Sequence, residues 1–435
     1  MGLSKSLKPL PTVPRVGGLF FPQRKALGLD PRESTPGFKH QLVVLNAELR
    51  SLKRAAMVAE RVLGQKVSPN TIERICLDVA ADVLAAERRD WKSVITGEIT
   101  APSVAIVEFD GGRIRTRKTG CGPGVHLEAS GWNETKNAIF VSALSTVSDV
   151  DPQPQPPRCF LDRNHVAKLS ESTKICEKTN KNRRSENDDV VAVDTNEIQD
   201  AAKNNDAHKP RRVLRTFLSS LQSPKEFGRR MKREAQRRRF DEASRRAFVG
   251  DGLPCNWKIH QTHFKDYVPV LDFVHAVTYL FDASVICFGK TDAAWSTYTD
   301  WITRAWQSNV TSVIAELRMH QQGLGEAATD ADADDPRERL RLTVGYLENN
   351  SDRMDYVRYR REGLPTTSAW MESAVKELNY RVKGTEMFWN NPAGAEAILC
   401  LRAATLSDDD RLTRLLKRRP GRSALRRKLN PTQAN

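Results

Sequence analysis

A carboxylate at the end of a buried strand constrains this chain more than any other feature. In Ser103–Arg117, SVAIVEFDGGRIRTR, Val104, Ile106 and Phe109 bracket an apolar, β-branched run that reads as a strand inside a sheet. The run is expected to end at Asp110. Gly111 and Gly112 would then turn the backbone into a second, basic strand from Arg113 to Lys118. An acid held at the rim of a sheet suits a cation-binding role, whereas an Asp-Gly pair can equally serve only to make a hairpin turn. The choice depends on whether other carboxylates occur in similar settings.

Two do. Ala247–Gly252, AFVGDG, is a short apolar run leading into Asp251 between two glycines. In TTSAWMESAVKELNYRV, a helix entered through Thr366, Thr367 or Ser368 carries Glu372 in its first turns, where the helix dipole favours an acid. Ala374, Val375, Leu378 and Val382 mark its buried face. Lys376 lies one turn below Glu372, and Lys383 nearly two turns further on. Tyr267–Phe273, YVPVLDF, reads as another strand, and Asp272 with His275 forms D-x-x-H. That spacing fits either a metal pair or a polar pair fixing the start of the next helix.

Upstream, Leu42, Leu45, Leu49, Leu52, Ala56 and Ala59 are spaced as on a helix running from His40 to Gly64. Ser68 and Pro69 then open a second helix with Ile72, Ile75, Val79 and Val83 inside, and Asn70, Glu73 and Arg74 outside. This is the outline of a helix-turn-helix, and equally of any two packed helices. Asn137–Leu144 reads as a strand and Asp151–Pro157 as a proline-rich break. No aromatic residue occurs from Leu161 to Thr216, a composition that predicts a loose polar insertion. Helical patterning is expected to return at Val213. A long helical block follows Tyr279, with a broad apolar face from Trp301 to Leu317. Trp295 and Tyr298 just ahead of it suit either nucleobase stacking or the core.

Charge narrows the partners. Lys and Arg number 69 against 54 Asp and Glu, a net charge of +15, which points to a polyanion. Between Lys209 and Arg246 there are fourteen bases and four acids, and Arg411–Lys428 holds nine bases and no acid. Such excesses favour contact with a phosphate backbone over salt-bridge lacing. The seven cysteines are scattered singly, which predicts reduced thiols in the cytoplasm and no structural zinc. No apolar run approaches the roughly 20 residues of a membrane span. No P-loop, dinucleotide fingerprint or nucleophilic triad competes with the acids. Two Asp and one Glu on separate elements suffice to hold two Mg²⁺ for phosphodiester cleavage, provided the elements converge.

The strings VEFDGGRIRTR, GWNETKNAIF, CFLDRNHV, FVGDGLPCNW, VLDFVHAVTYL, GLPTTSAWMESAVKELNYRVKGTEMFW and WNNPAGAEAILCLRAATLSDDDRL resemble, in order, those of ISKra-type insertion-sequence transposases. These are bacterial DDE enzymes with an RNase H-like core. The resemblance runs from about Gly17 onward and is weakest over Lys174–His208. It implies that Asp110, Asp251 and Glu372 are the first, second and third catalytic acids, binding two Mg²⁺ or Mn²⁺ ions. Asp272 and His275 would be auxiliary, similar to the Cys-x-x-His feature of Mutator-like transposases. Many members carry a cysteine-rich module upstream of GGLFFPQRKALGLDP; no such cysteines precede it here, so a copy shortened at its N-terminus is expected.

The expected architecture is α/β: an RNase H-like mixed sheet with covering helices, interrupted by an all-α insertion, plus an N-terminal helix-turn-helix-like domain. The divisions are an extended segment over 1–38, the DNA-binding helices over 39–98, and core parts over 99–150, 213–282 and 364–410. A polar flexible insertion covers 151–212, the all-α insertion 283–363 and a basic tail 411–435. The expected function is cleavage of element ends and joining of the 3′-hydroxyl to target DNA by a cytoplasmic, nucleoid-associated homo-oligomer. A shortened remnant that only binds DNA is the alternative. Arg113, Arg115, Arg117, Lys376, Lys383, Arg74, Lys417, Arg418 and Arg419 are the expected DNA contacts, with double-stranded terminal inverted repeats and target DNA as partners and no membrane.

Overall fold

The computed structural model describes residues 34–88, 100–117, 130–171, 207–328, 332, 334–383, 389 and 391–418. The chain divides into two units, one of residues 1–95 with 410–435 and one of residues 96–409.

In the first unit, α1 (Pro36–Glu48) and α2 (Leu52–Leu63) replace the single helix expected from His40 to Gly64. Helical spacing runs through both, but the Ser51 hydroxyl accepts from Arg54 N at 3.2 Å and starts a new helix after Leu49–Ser51. Gly64, at φ 65°, ends α2 in the left-handed conformation that suits glycine. Helix α3 (Pro69–Arg88) follows, with Thr71 N donating to Ser68 Oγ at 3.1 Å. Ile72, Ile75, Val79 and Val83 are buried, while Asn70, Glu73 and Arg74 are exposed. The basic C-terminal stretch contributes a helix, Arg411–Arg418, that packs on α1 within this unit.

The second unit is mixed α/β. Its sheet has five strands in the order β3-β2-β1-β4-β5, formed by β1 (Val104–Arg117), β2 (Ser130–Leu144), β3 (Arg211–Ser220), β4 (Arg245–Gly250) and β5 (Val268–Leu271). The β1–β2 and β2–β3 pairs are antiparallel; β1–β4 and β4–β5 are parallel. Contrary to the hairpin expected at Gly111-Gly112, β1 runs straight through both glycines, and Gly111 and Gly112 pair with Lys136 and Thr135. Gly112 is needed for this close approach, since a Cβ there would stand 2.6 Å from Thr135 Oγ1. The partner of β1 is β2, which begins seven residues earlier than the strand expected from Asn137.

A second correction concerns Val213. Val213, Leu214, Phe217 and Leu218 have helical spacing, yet Arg211–Ser220 is strand β3, buried from Arg215 to Ser220. Pairing with β2 satisfies its backbone and overrides the local pattern. The helix starts only at α4 (Pro224–Arg237), behind the reciprocal Ser223–Glu226 capping box. The basic excess around it is also less free than charge counting implied. Arg215 and Arg230 are buried and reach Glu377 and Glu396, acids more than 160 residues away in sequence.

Helix α5 (Pro254–His263) packs on α4. Successive side chains of a strand point to opposite faces. Phe109 meets Phe227 of α4 with ring centroids 6.0 Å apart, whereas Glu108 meets the N-terminus of the late helix at Ala369–Val382. Helices therefore cover both faces of β1, whose residues Val104–Phe109 are all buried.

Between β5 and that late helix lie α6 (Phe273–Phe288), α7 (Asp292–Trp306), α8 (Val310–Leu324), α9 (Pro336–Asn350) and α10 (Tyr356–Arg361); α11 (Ala369–Val382) and α12 (Pro392–Thr405) complete the unit. The helical block closes the sheet edge. Tyr356 and Tyr359 donate to the carbonyls of Leu271 and Pro269 at 3.0 Å each, occupying acceptors that edge strand β5 would otherwise leave open. Phe273, Trp306 and Tyr356 pack around one another, with Phe273 centroids 4.7 and 4.8 Å from the other two. The proline-rich stretch is pinned to this block: Trp306 Nε1 donates to Gln153 O at 2.8 Å, and Asp151 pairs with Arg360, whose guanidinium stacks on Trp306. Tyr298 is fully buried and donates to Phe160 O, so it belongs to the core, and Trp295 packs against it. Residues 172–206, most of the expected insertion, lie outside the described residues.

Candidate active site

Register alone brings three acids abreast. In the parallel β1–β4 pair Glu108 stands opposite Val249, so two residues further on Asp110 comes beside Asp251. In β4–β5, Gly250 stands opposite Leu271, so one residue further on Asp251 comes beside Asp272, and Asp272 N donates to Gly250 O at 2.9 Å. Asp251 and Asp272 thus follow the carboxyl ends of β4 and β5, beside Asp110 where β1 outruns its pairing with β4 and the chain order reverses, the position at which open sheets leave a crevice.

Each acid is held differently. Asp110 and Asp251 are half-buried, whereas Asp272 is 1 % exposed. Asp110 Oδ1 accepts from Gly111 N at 2.7 Å. Asp251 Oδ1 accepts from Leu253 N at 3.0 Å and from Asn256 Nδ2, while Tyr346 of α9 donates to the Asp251 carbonyl at 2.8 Å. Gly252 has φ 94°, and a Cβ there would meet the Tyr346 ring at 2.6 Å, so this bend needs glycine twice over. Asp272 caps α6 through Val274 N at 3.0 Å, accepts from the Ser368 hydroxyl, and stands 3.9 Å from His275 Nε2.

Glu372 arrives through α11. Phe273 N donates to Thr366 O at 3.0 Å, and Met371 N donates to Glu108 Oε2 at 2.8 Å, which fixes the first turn of α11 over β1. Glu108 is fully buried, and its Oε1 has no hydrogen-bond partner among the described residues. It escaped the sequence reading because it sits inside an apolar run. The available signal was its position two residues before Asp110, hence on the same face of the strand.

The electrostatics show how tightly the group is gathered. Burial, then the Asp251 carboxylate, pushes Asp110 up to about 7, against the pull of His275 and the Gly111 amide; Glu372 adds to the push. Burial raises Glu372 to about 7 as well, with Asp272 adding to it and His275 and Lys376 opposing. Asp251 is raised by burial, with His275 and the Leu253 amide opposing. Burial alone would lower His275, but Asp272, Asp251, Asp110 and Glu372 outweigh it and hold it above the ordinary histidine range. Glu108 is raised well above the carboxylate range, chiefly by burial.

A cation suits this arrangement chemically. Several crowded acids hold their protons to near neutral pH, and a hard divalent ion would replace those protons with fixed charge. Among the described residues, however, no three His, Cys, Asp or Glu side chains stand in a ready-made metal-holding arrangement.

The expected DNA contacts fall in several places. Arg113, Arg115 and Arg117 lie on β1 beyond Asp110, and Lys376 reaches Glu372 electrostatically. Arg115 lies over the Trp132 ring at 4.6 Å and Lys383 at 5.8 Å. Arg74 and Lys417 are exposed in the first unit, Arg418 closes its last helix, and Arg419 lies outside the described residues. Among the described residues no helix is long and apolar enough to cross a membrane. No protein-family model matches the chain, and no curated protein matches it.

Proposed function

We propose that this chain is a DNA transposase of the insertion-sequence type it resembles, with Asp110, Asp251 and Glu372 as the acids of an RNase H-like catalytic core. One observation carries the reading: although separated by 141 and 121 residues in sequence, Asp110 and Asp251 are set abreast by strand register, and α11, anchored on Glu108, brings Glu372 close enough to act with Asp251 on the Asp110 carboxyl. A purely structural role gives no reason to gather them where Asp251 and Glu372 raise the cost of ionising Asp110.

Asp110, Asp251 and Glu372 would hold two Mg²⁺ or Mn²⁺ ions, which when bound supply Lewis-acid activation of water and neutralise charge on the leaving oxygen. The protein's own contribution is placement. Gly252 and Asn256 aim Asp251, Glu108 fixes the turn bearing Glu372, and Asp272 anchors Ser368 and orients His275. His275, whose charged form Asp272, Asp251, Asp110 and Glu372 favour, is suited to donate to a phosphate oxygen. Asp272 is committed to its own fold partners, which favours Asp251 as the second metal-holding acid. The exposed Asn70, Glu73 and Arg74 of α3 are suited to reading the terminal repeats in a helix-turn-helix manner, with the chain acting as a homo-oligomer on DNA.

The test is metal-dependent nicking of duplex DNA carrying the element's ends. Asp110→Asn, Asp251→Asn and Glu372→Gln should each abolish nicking while binding stays within about threefold of wild type. A Glu372→Gln protein that still cuts at near-normal rate overturns the assignment. Survival of Asp251→Asn with loss in Asp272→Asn would move the second acid to Asp272. A second reading, a remnant that only binds DNA, is favoured by the absence of a ready-made cation cage among the described residues. It predicts DNA binding with no nicking in any metal.

A further inference from the structure

The sheet places an aromatic platform where the sequence pointed elsewhere. Tyr298 and Trp295, the rings that suited base stacking by position, pack in the core of the helical block. Trp132 on β2 is 37 % exposed, the only exposed tryptophan among the described residues. It lies directly across from Arg115, and the cations of Arg115 and Lys383 stand 4.6 and 5.8 Å from its ring centroid.

The strand lengths explain why this ring faces outward. Strand β4 pairs with β1 only over Val104–Glu108, and β3 pairs with β2 only from Lys136 to Leu144. Beyond those limits β1 and β2 continue as a two-stranded ribbon, bearing Arg113, Arg115, Arg117 and Trp132, bridged at one point to Trp389. The ribbon leaves the sheet beside the acid cluster: its first residues follow Asp110 directly, and Glu134, two residues from Trp132, pairs with Arg113 three residues past Asp110. Arg115 lies five residues past Asp110, roughly 17 Å along the strand and by alternation on the other face of β1, so a DNA strand running from the acids to the ring crosses the ribbon's edge over about five stacked nucleotides.

We infer that Trp132, with Arg115 and Lys383, is a stacking site for an unpaired nucleobase of the DNA strand whose backbone passes the acid cluster. The chemistry matches: a base stacks on an aromatic face, and flanking cations hold the neighbouring phosphates. Arg115, half-buried over the ring, is compatible with this, because a guanidinium displaced by a base gains a charge-assisted contact with the neighbouring phosphate. A duplex end would therefore be opened at this point, leaving the scissile strand single-stranded near the acids. The inference rests on the proposed function for its substrate and adds where that substrate is unpaired.

The experiment measures binding of the full chain to three probes: an oligothymidylate, a blunt duplex, and the same duplex with a frayed end. Trp132→Ala should weaken binding to the first and third roughly tenfold and the blunt duplex distinctly less, since opening its end offsets part of the stacking. Trp132→Phe should retain most of the affinity, and Arg115→Ala should lower the salt dependence by about one phosphate contact. Should Trp132→Ala melt early, Trp132→Leu keeps the apolar bulk without the π-face, and the same selective loss is expected. Unchanged binding of the alanine or leucine variant to all three probes overturns the inference, as does equal loss on the blunt duplex. Wild type that binds none of the probes refutes the proposed function itself, a result distinct from either.

Discussion

Removing the charge of Asp110 should stabilise the protein above about pH 4, and most fully at neutral to alkaline pH. Asp110 titrates at about 7 when folded and near 3.9 when unfolded. Between those values the folded state binds the extra proton, so stability is complete below about pH 4 and is lost as pH rises toward and through 7. Three units at 1.36 kcal/mol each set a ceiling of about 4 kcal/mol on the cost of ionising Asp110 in place. Because Asp110 is half-buried, solvent screening reduces this to about 2 kcal/mol. Asn keeps the oxygen that accepts from Gly111 N and removes the charge. Asp110→Asn should therefore melt about 4 °C above wild type at pH 8 in chelator and coincide with it at pH 4. Adding Mg²⁺ at pH 8 should raise the wild-type midpoint more than that of the variant. Equal melting at pH 8, or the same gain at both pH values, would refute the claim that the acids are crowded at mutual cost.

Other perturbations separate the supports from the acids they hold. Glu108→Ala leaves Met371 N buried without its acceptor and should cost about 2 kcal/mol in chemical denaturation, whereas Glu108→Gln keeps an acceptor oxygen and should fold nearly normally. Gly252→Ala forces both a positive φ and a clash with Tyr346; a loss of about 2 kcal/mol is expected, and Tyr346→Ala should relieve part of it in a double-mutant cycle. Arg360→Ala strands Asp151 and uncovers Trp306, so a destabilisation of about 3 kcal/mol should appear in equilibrium unfolding.

Much of the candidate site was legible in the sequence because three of its acids, Asp251, Asp272 and Glu372, stand at element boundaries. Asp251 follows an apolar run, Asp272 precedes a helix, and Glu372 opens one; each boundary has a local cause in glycine, capping or hydrophobic period. The errors arose where local patterns were ambiguous. Val213–Leu218 has helical spacing but forms a strand because β2 supplies the hydrogen bonds. Gly111-Gly112 looks like a turn but is a close crossing of β1 over Thr135. Glu108 was hidden because a lone acid within an apolar run has no periodic signature.

What the residues alone determined is the inventory: an α/β chain, basic in balance, with Asp251, Asp272 and Glu372 where regular elements begin or end and Asp110 after an apolar run. Tertiary structure decided which of them meet. Parallel register set Asp110, Asp251 and Asp272 side by side, the fold of α11 onto Glu108 delivered Glu372, and the helical block buried Tyr298 while the outlying ribbon left Trp132 exposed. Local preference acts over a few residues. Pairing between strands more than a hundred residues apart depends on the whole core closing, and that closure alone brings the charges together.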